Sequence, residues 1–170
     1  MSNDLWATPP EVFHALDLEF GFGFDVCAQP QTAKCPEYWT IEDDALSQDW
    51  SKAGGVFGQW LWCNPPYSKI GPWIDKAVEA QAAGRGTVML VMADPSVKWF
   101  SQAQKFASET RFITNGRISF LKNGVPQAGN NKGSVIFVFN PHAIGAGHVR
   151  FIERAELLAK GEIQSKEQAA

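Results

Sequence analysis

The sequence has few of the side chains that build disulfide frameworks or metal sites. Its three cysteines, Cys27, Cys35 and Cys63, are odd in number and lack C-x-x-C spacing, and its three histidines are scattered without the spacing of metal ligands. We therefore expect free, buried thiols and no bound metal.

Long apolar runs are missing as well. The segment MSNDLWATPPEVF has neither the basic start nor the apolar stretch of a signal peptide, and no run approaches the roughly 20 apolar residues of a membrane span. We expect a cytoplasmic protein that contacts no membrane. With 170 residues, of which 45% are hydrophobic and 12% aromatic, the chain is long enough for one domain with a sizeable core.

Two stretches of the sequence carry charge of almost only one sign, acidic in the first and basic in the second. Residues 1–50 contain ten acidic side chains and, among Lys and Arg, only Lys34. Residues 97–133 contain six basic side chains against the single acid Glu109. Although the net charge is only −3, the second stretch predicts a local positive field that suits a phosphate backbone. The alternative is a set of ordinary solvated surface charges.

Strand and helix patterns alternate along the chain. The segments expected as strands are 22–28, 56–64, 87–93, 110–114, 117–121 and 134–140, and those expected as helices are 8–17, 72–83 and 96–108. This order predicts a three-layer α/β sandwich with a largely parallel, doubly wound sheet and a β-hairpin near its end. The Gly- and Asn-rich segment 122–133 is typical of an exposed loop. We expect a single domain over residues 1–160 and a frayed tail over 161–170.

The segment WLWCNPPYS, residues 60–68, places Asn64, Pro65, Pro66 and Tyr67 where an apolar strand must end, because proline cannot continue a sheet ladder. A helix pattern follows, so the corner lies where α/β sheets bind ligands. The Asn64 side chain and the Pro65 backbone offer two carbonyl acceptors for a planar amino group, held in place by the stiff prolines. Tyr67 offers a flat face on which a flipped-out base can stack. A plain strand-ending turn with an aromatic staple is the alternative.

The Asn-Pro-Pro-Tyr corner and its surroundings resemble the small phage-type DNA N6-adenine methyltransferases related to Dam. The resemblance runs from about Leu5 to Pro141 and rests on LWATPPEVF, FDVCAQP, CPEYWTIEDDAL, WCNPPYSKIGPWIDKA, VKWF, GRISF and GSVIFVF. It implies a Rossmann-like methyltransferase fold, S-adenosylmethionine as methyl donor, and N6 methylation of adenine in double-stranded DNA of a bacterial host cell. A methyltransferase acting on RNA or protein glutamine, and a nucleic-acid-binding module without chemistry, remain alternatives.

The resemblance also implies roles for residues outside the corner. Asp25 is similar to the acid that binds the donor's methionine ammonium, and Asp44 to the acid that accepts from its adenine amino group, with Leu46 packed on that ring. The segment that closes over the donor's methionine end corresponds to Trp6, Thr8 and Pro9. The alternatives are a loop-capping Asp25, a solvated Asp44 and a Trp6 that belongs to the core.

One departure from many methyltransferases concerns the turn after the first strand. The segment DVCAQP contains no glycine, and the resemblance suggests that the small Ala28 lets the backbone approach the donor instead. The acid that binds the donor ribose is ambiguous among residues 37, 42 and 43, and we favour Glu42.

No separate target-recognition domain fits into 170 residues, so DNA contacts are expected from segment 115–133 and neighbouring turns. The candidate nucleic-acid contacts are Lys98, Arg117, Phe120, Lys122 and Lys132. In a strand, alternation would direct Arg117 towards a phosphate and Phe120 towards the core or the target pocket. Alternatively, Arg117 pairs with Glu109 across a hairpin.

Overall fold

The fold is built around a sheet of seven strands, and a computed structural model describes residues 4–54, 60–128 and 131–169. The strands are β1 (Phe22–Asp25), β2 (Glu37–Tyr38), β3 (Trp60–Cys63), β4 (Thr87–Met92), β5 (Glu109–Thr114), β6 (Leu121–Lys122), β7 (Val125–Pro126), β8 (Ser134–Phe139) and β9 (His148–Glu153). The helices are α1 (Pro10–Phe20), α2 (Gly71–Ala82), α3 (Lys98–Phe106) and α4 (Arg154–Ala169). The short strands β6 and β7 form a separate antiparallel hairpin.

The direction of the strands gathers the loops of the protein at one edge of the sheet. The order is β2-β1-β3-β4-β8-β5-β9, and among these described strands only β8 runs antiparallel to its neighbours. The segments that follow β1, β3, β4 and β5 therefore meet at the same edge, which we call the carboxyl edge. The segment that precedes β8 joins them there, because Ser134 lies opposite Met92.

Helices cover both faces of the sheet, because the central strands are apolar on both sides. Alternate residues of β4 divide between two buried clusters: Met89 packs with residues of α2 and α3, and Leu90 packs with residues of α1 and α4. Every residue of β8 is buried. A continuous apolar run of this kind is typical of a strand enclosed by two layers of helix. The predicted three-layer α/β fold with a mostly parallel sheet is confirmed.

Most of the expected elements are present within a few residues of their predicted limits. The segments 22–28, 87–93 and 134–140 contain β1, β4 and β8, and segment 110–114 covers β5 except for its first residue, Glu109. The three expected helices correspond to α1, α2 and α3. The expected strand 56–64 contains β3, while its residues 56–59 lie outside the described part of the chain.

The expected strand at 117–121 is wrong. Asn115 and Gly116 adopt positive φ angles of 54° and 129° and turn the chain away from the sheet, so residues 117–120 have no strand partner and β5 pairs with β8 and β9 instead. Ile118 and Phe120 are each 2% exposed, which reproduces the apolar alternation of a strand without its ladder. The hairpin lies later than expected, at β6 and β7.

The end of the chain contains two elements that the sequence patterns did not predict. β9 pairs in parallel with β5 at the edge of the sheet. Helix α4 follows it directly and contacts α1 through Leu157, which is buried among α1 side chains. Residues 161–169, expected to be frayed, continue this helix.

None of the helices in the described ranges is long and apolar enough to cross a membrane. Within those same ranges, no group of three or more His, Cys, Asp or Glu side chains is placed to hold a metal ion. The three cysteines are free thiols, of which Cys35 and Cys63 are buried.

Candidate active site

The Asn-Pro-Pro-Tyr corner leaves the sheet at the carboxyl end of β3, directly before α2. Asn64, Pro66 and Tyr67 are half-buried and Pro65 is buried. The Pro66 carbonyl accepts a hydrogen bond from the Lys69 backbone N–H at 3.3 Å, which closes the turn. The predicted position of the corner, between a buried strand and a helix at the carboxyl edge, is confirmed.

The side-chain amide of Asn64 is held by the N-terminal segment. Its Nδ2 donates to the Thr8 hydroxyl at 3.0 Å and to the Trp6 carbonyl at 3.5 Å. A backbone carbonyl only accepts hydrogen bonds, so the group that faces it must be the NH₂ and not the oxygen of the amide. Oδ1 is thereby left as a hydrogen-bond acceptor for a ligand.

The ring of Tyr67 is held at one edge by Phe120. The two rings meet at 83°, edge to face, with centroids 5.9 Å apart. The Tyr67 hydroxyl is buried and has no hydrogen-bond partner in the described part of the chain. Burial raises the pKa of Tyr67 far above its ordinary value, so the phenol stays neutral and acts as an aromatic surface rather than as a base.

A cavity of about 450 Å³ opens beside Asn64, within the size range of small-molecule sites. Its wall combines the N-terminal segment 4–8, the turn after β1, the segment 40–46 and the start of the corner. The predicted site residues that line it are Trp6, Thr8, Asp25, Ala28, Asp44, Leu46, Asn64 and Pro66. Eight of the predicted site residues therefore lie around one cavity.

The carboxyl group of Asp25 is the most deeply buried charge in the cavity wall, at 2% exposure. Burial raises its pKa from 3.8 to about 6, although hydrogen bonds from the backbone N–H groups of Lys34 and Cys27 oppose the shift. These bonds measure 3.0 and 3.1 Å, one to each oxygen. Because a carboxylate oxygen has two lone pairs, each oxygen keeps one acceptor position for a cation.

Lys34 lines the same cavity beside Asp25 and was not assigned a role from the sequence. Burial lowers the pKa of its ammonium group, and Asp25 opposes that shift. Within the described residues the ammonium has no hydrogen-bond or ion-pair partner. The available signal was its isolation as the single Lys or Arg among ten acids in residues 1–50.

Two exposed residues form the opposite rim of the cavity. Asp44 adopts a left-handed φ of 47° after a short 3₁₀ turn, and its carboxyl group is exposed to solvent. Ile41, in the same turn, is 89% exposed although it is apolar, and Leu46 is half-buried next to it. An exposed apolar side chain beside a half-buried one suits a flat ring in the cavity.

Other predicted donor contacts lie outside the cavity or already have partners. Glu42 does not line it, and its carboxylate accepts from the Thr40 hydroxyl at 2.7 Å. The carbonyl of Pro9 accepts the first backbone hydrogen bonds of α1 from Val12 and Phe13. Ala28 lines the cavity, but its N–H donates to the Trp39 carbonyl at 2.9 Å in continuation of the sheet. The preference for Glu42 as the ribose-binding acid therefore receives no support.

The predicted nucleic-acid contacts lie in three different environments: exposed, buried and ion-paired. Lys98, Arg117 and Lys122 are exposed near the carboxyl edge, whereas Phe120 is 2% exposed and contacts Tyr67. Lys132 forms an ion pair with Asp94, and this contact lowers the pKa of Asp94 to about 2.

The alternative pairing of Arg117 with Glu109 is replaced by a different ion-pair group. Glu109 accepts from Arg111 at 2.8 Å and from Arg150 at 3.1 Å, and Arg111 also forms a bidentate pair with Glu19. Arg111 is 2% exposed, so one of the six bases in segment 97–133 is buried and neutralised.

The N-terminal segment 4–8 connects the cavity to the hairpin. Ala7 exchanges two backbone hydrogen bonds of 2.8 Å with Leu121 of β6. Asp4 accepts from the backbone and the hydroxyl of Ser68, next to Tyr67, at 3.1 and 2.7 Å. No sequence pattern indicated these bonds, because they join residues 64 to 114 positions apart.

In its fold and its site, the protein has the architecture of a methyltransferase, with an Asn-Pro-Pro-Tyr corner and a cavity of about 450 Å³ at the carboxyl edge of a mostly parallel sheet. A model of the family "DNA N-6-adenine-methyltransferase (Dam)" matches residues 1–164. The DNA N-6-adenine-methyltransferase of Haemophilus phage HP1 (strain HP1c1) is 35% identical over 167 residues, which cover 95% of this chain and 93% of that protein. The DNA N-6-adenine-methyltransferase of Escherichia phage T1 is 32% identical over 152 residues, 79% of this chain and 62% of that protein.

The protein therefore belongs to the DNA N-6-adenine-methyltransferase (Dam) family. The resemblance predicted from the motifs is confirmed, and with it the class of enzyme, an adenine-specific DNA methyltransferase. The alternatives of an RNA or protein methyltransferase and of a module without chemistry gain nothing from these comparisons.

Proposed function

We propose that the protein transfers the methyl group of S-adenosylmethionine to the N6 amino group of adenine in double-stranded DNA, acting in the cytoplasm of a bacterial host. The observation that carries the proposal is the Asn64 amide, whose nitrogen is held by Trp6 and Thr8 beside the cavity. S-adenosylmethionine, when bound, supplies a methyl group on a sulfonium centre: the S–CH₃ bond breaks, the N6–CH₃ bond forms, a thioether remains and N6 loses one proton.

The cavity wall fits the charges of that donor. We assign the buried carboxylate of Asp25 to the donor's methionine ammonium and the ammonium of Lys34 to its carboxylate, because opposite charges at the floor of a half-closed cavity are strongly attractive. We assign Asp44 to the adenine amino group of the donor and Leu46 and Ile41 to the faces of its ring, since all three line the cavity. Glu42 has no part in this assignment, because it does not line the cavity.

The target amine is held by the corner. The Asn64 Oδ1 and the Pro65 carbonyl each accept one N6 hydrogen, which localises the nitrogen lone pair and directs it towards the methyl group. N6 needs no prior deprotonation, since it becomes acidic as it accepts the methyl group. The face of Tyr67 stacks on the flipped-out adenine, while Phe120 supports the ring from its edge.

DNA approaches the carboxyl edge of the sheet. Lys98, Arg117 and Lys122 supply exposed positive charge near the corner, whereas the acids of residues 1–50 disfavour phosphate on the donor side. Lys132 is left out of this surface, because Asp94 already compensates its charge. One domain over residues 1–160 performs all of these roles.

Methyl transfer from radiolabelled S-adenosylmethionine tests the substrate class. Purified protein is incubated with unmethylated plasmid DNA, with total RNA and with a denatured protein mixture at equal mass. We expect label in DNA, with little in RNA or protein. Label mainly in RNA or protein would contradict the proposed substrate, and no transfer to any acceptor by protein that binds the donor would contradict the proposed activity.

A further inference from the structure

Thr8 lines the cavity and also binds the side chain of Asn64. Its side chain is buried, at 1% exposure, although threonine is polar. Its hydroxyl accepts the Asn64 Nδ2 hydrogen at 3.0 Å, the shorter of the two bonds to this amide. The two ends of an amide have nearly the same shape, so hydrogen bonds alone decide which end faces a ligand.

The backbone that carries Thr8 is anchored on both sides. Ala7, directly before it, exchanges two backbone hydrogen bonds of 2.8 Å with Leu121, and Pro9, directly after it, accepts the first hydrogen bonds of α1. A hydroxyl on such a segment stays in one place. The Trp6 carbonyl, which can only accept, selects the orientation of the Asn64 amide, and the Thr8 hydroxyl strengthens that orientation through the shorter bond across 56 positions of sequence.

We infer that Thr8 is a positioning residue for catalysis, which keeps the Asn64 amide oriented with Oδ1 towards the target amine. The inference rests on the proposed role of Asn64. Without the Thr8 hydroxyl, the bond that remains to the amide nitrogen within the described residues is the 3.5 Å contact with the Trp6 carbonyl. Rotation of the amide by half a turn would present NH₂ to the N6 hydrogens, donor against donor, and abolish the alignment of the amine.

Substitutions of Thr8 by residues of similar shape separate the hydroxyl from the packing. Thr8→Val removes the acceptor at nearly constant volume and should lower kcat between about tenfold and a hundredfold, the scale of a misaligned catalytic group. The KM for DNA should change little, and Thr8→Ser should restore most of the turnover. The matched control is Thr87→Val at the amino end of β4, a fully buried threonine whose hydroxyl has no partner in the described part of the chain. Unchanged kcat in Thr8→Val would overturn the inference.

A double-mutant cycle separates positioning from donor binding. In an Asn64→Asp background both side-chain oxygens are acceptors, so the orientation of the group no longer matters. Thr8→Val should then have a much smaller effect on kcat than it has with Asn64. An equal factor in both backgrounds would mean that Thr8 acts independently of residue 64, which contradicts positioning.

Nuclear magnetic resonance of the ¹⁵N-labelled protein provides a readout that needs no activity. The Asn64 side-chain NH₂ signals, identified by their loss in Asn64→Asp, should show one slowly exchanging proton that exchanges faster in Thr8→Val and recovers in Thr8→Ser. Unchanged exchange in Thr8→Val would contradict the inference. If Asn64→Ala retained full turnover, the proposed function itself would fail, whereas an inactive Asn64→Ala beside a fully active Thr8→Val would contradict only the role of Thr8.

Discussion

At the scale of single residues, the site depends on polar groups that the fold withholds from water. Asp25 and Tyr67 illustrate two consequences of this burial. The Asp25 carboxyl titrates near the physiological range because burial disfavours its charge. The Tyr67 phenol remains neutral and makes no hydrogen bond within the described chain. Function should therefore depend on pH through Asp25, and on the aromatic surface of the side chain at Tyr67.

Donor affinity should depend on pH through Asp25. The pKa of this group is raised to about 6, so below that pH most molecules of the free protein carry a neutral carboxyl that attracts the donor ammonium weakly. Affinity for S-adenosylmethionine should increase by up to about tenfold per pH unit between about pH 5 and 6 and level off near pH 7. Calorimetry in the absence of DNA measures it. In Asp25→Ala the affinity should be lower and nearly independent of pH; unchanged affinity would make Asp25 structural.

The same ionisation acts on folding with the opposite sign. Because the folded-state pKa of Asp25 lies above the ordinary value of 3.8, the group contributes stability that is present at low pH and lost as the pH rises through about 6. Bound donor opposes this loss, since it stabilises the charged form. The increase of Tm by donor should therefore be larger at pH 7 than at pH 5.

Substitutions of Tyr67 test the stacking surface. Tyr67→Phe removes a buried hydroxyl that has no partner in the described structure, so turnover and stability should be retained or slightly raised. Tyr67→Ala should weaken the binding of the target base by about 1–3 kcal/mol, the value of base–aromatic stacking. Single-turnover rates with DNA, at saturating donor, compare the two variants. Equal rates for Phe and Ala would remove base stacking from the role of this ring.

At the scale of elements, the two helices that cover one face of the sheet must fit closely. A Cβ atom added to Gly161 of α4 would lie 1.8 Å from the Glu11 carbonyl oxygen of α1. Only a glycine allows the two backbones to approach in this way. This contact packs α4 against α1 at residue 161.

Gly161→Ala tests the contact between α1 and α4. Displacing one helix from the other should lower the free energy of unfolding by about 1–3 kcal/mol, the usual cost of overpacking. The matched control is Gly71→Ala at the start of α2, where an added Cβ would have its nearest neighbour at 4.0 Å and stability should be equal or slightly higher. Chemical denaturation of both variants measures the difference. A Gly161→Ala variant as stable as the control would show that the end of α4 is detached from α1.

Strands were predictable from the sequence where both of their faces are buried, because such burial requires a continuous run of apolar residues. β4 and β8 are buried along nearly their whole length and were found within a residue of their limits. β9 is mostly exposed, so its sequence carries no alternation to detect. The strand prediction for residues 117–120 failed for the opposite reason: the sequence alternates, but no strand forms. Ile118 and Phe120 are buried by contacts with other elements and not by a strand partner.

The candidate site was predictable where a short motif carries the chemistry, as at Asn64 and Asp25. It was not predictable where residues distant in sequence meet. The bonds of Asn64 to Thr8 and of Leu121 to Ala7 span 56 and 114 positions, and no local pattern encodes them. Glu42 was preferred over residues 37 and 43 for the ribose, although a run of adjacent acids gives no sign of which one faces the cavity, and none of the three lines it.

At the scale of the whole molecule, charge is divided between the two sides of the site. Three of the ten acids of residues 1–50, Asp4, Asp25 and Asp44, line the cavity, and the exposed bases Lys98, Arg117 and Lys122 lie near the carboxyl edge. A protein with a net charge of −3 can hold a polyanion only if such a division orients the approach of DNA.

The salt dependence of DNA binding tests this surface. Each phosphate contact releases condensed counterions, so Arg117→Ala and Lys122→Ala should each reduce the magnitude of the slope of log affinity against log salt by about one unit. Lys105→Ala is the matched control, because this exposed lysine lies in the last turn of α3, away from the carboxyl edge. Fluorescence anisotropy at several salt concentrations gives the slopes. If both test variants kept the wild-type slope, DNA would have to approach another face.

The central claim is that Asn64, held at the carboxyl edge beside a donor cavity, aligns the N6 amine of adenine for methylation. Mass spectrometry of nucleosides from plasmid DNA treated with wild-type protein and with Asn64→Ala measures it directly. The wild type should form N6-methyldeoxyadenosine, and Asn64→Ala should form it between about one hundred- and one thousandfold more slowly, with unchanged donor affinity. Wild-type rates in Asn64→Ala, or methylation of a base other than adenine, would contradict the account.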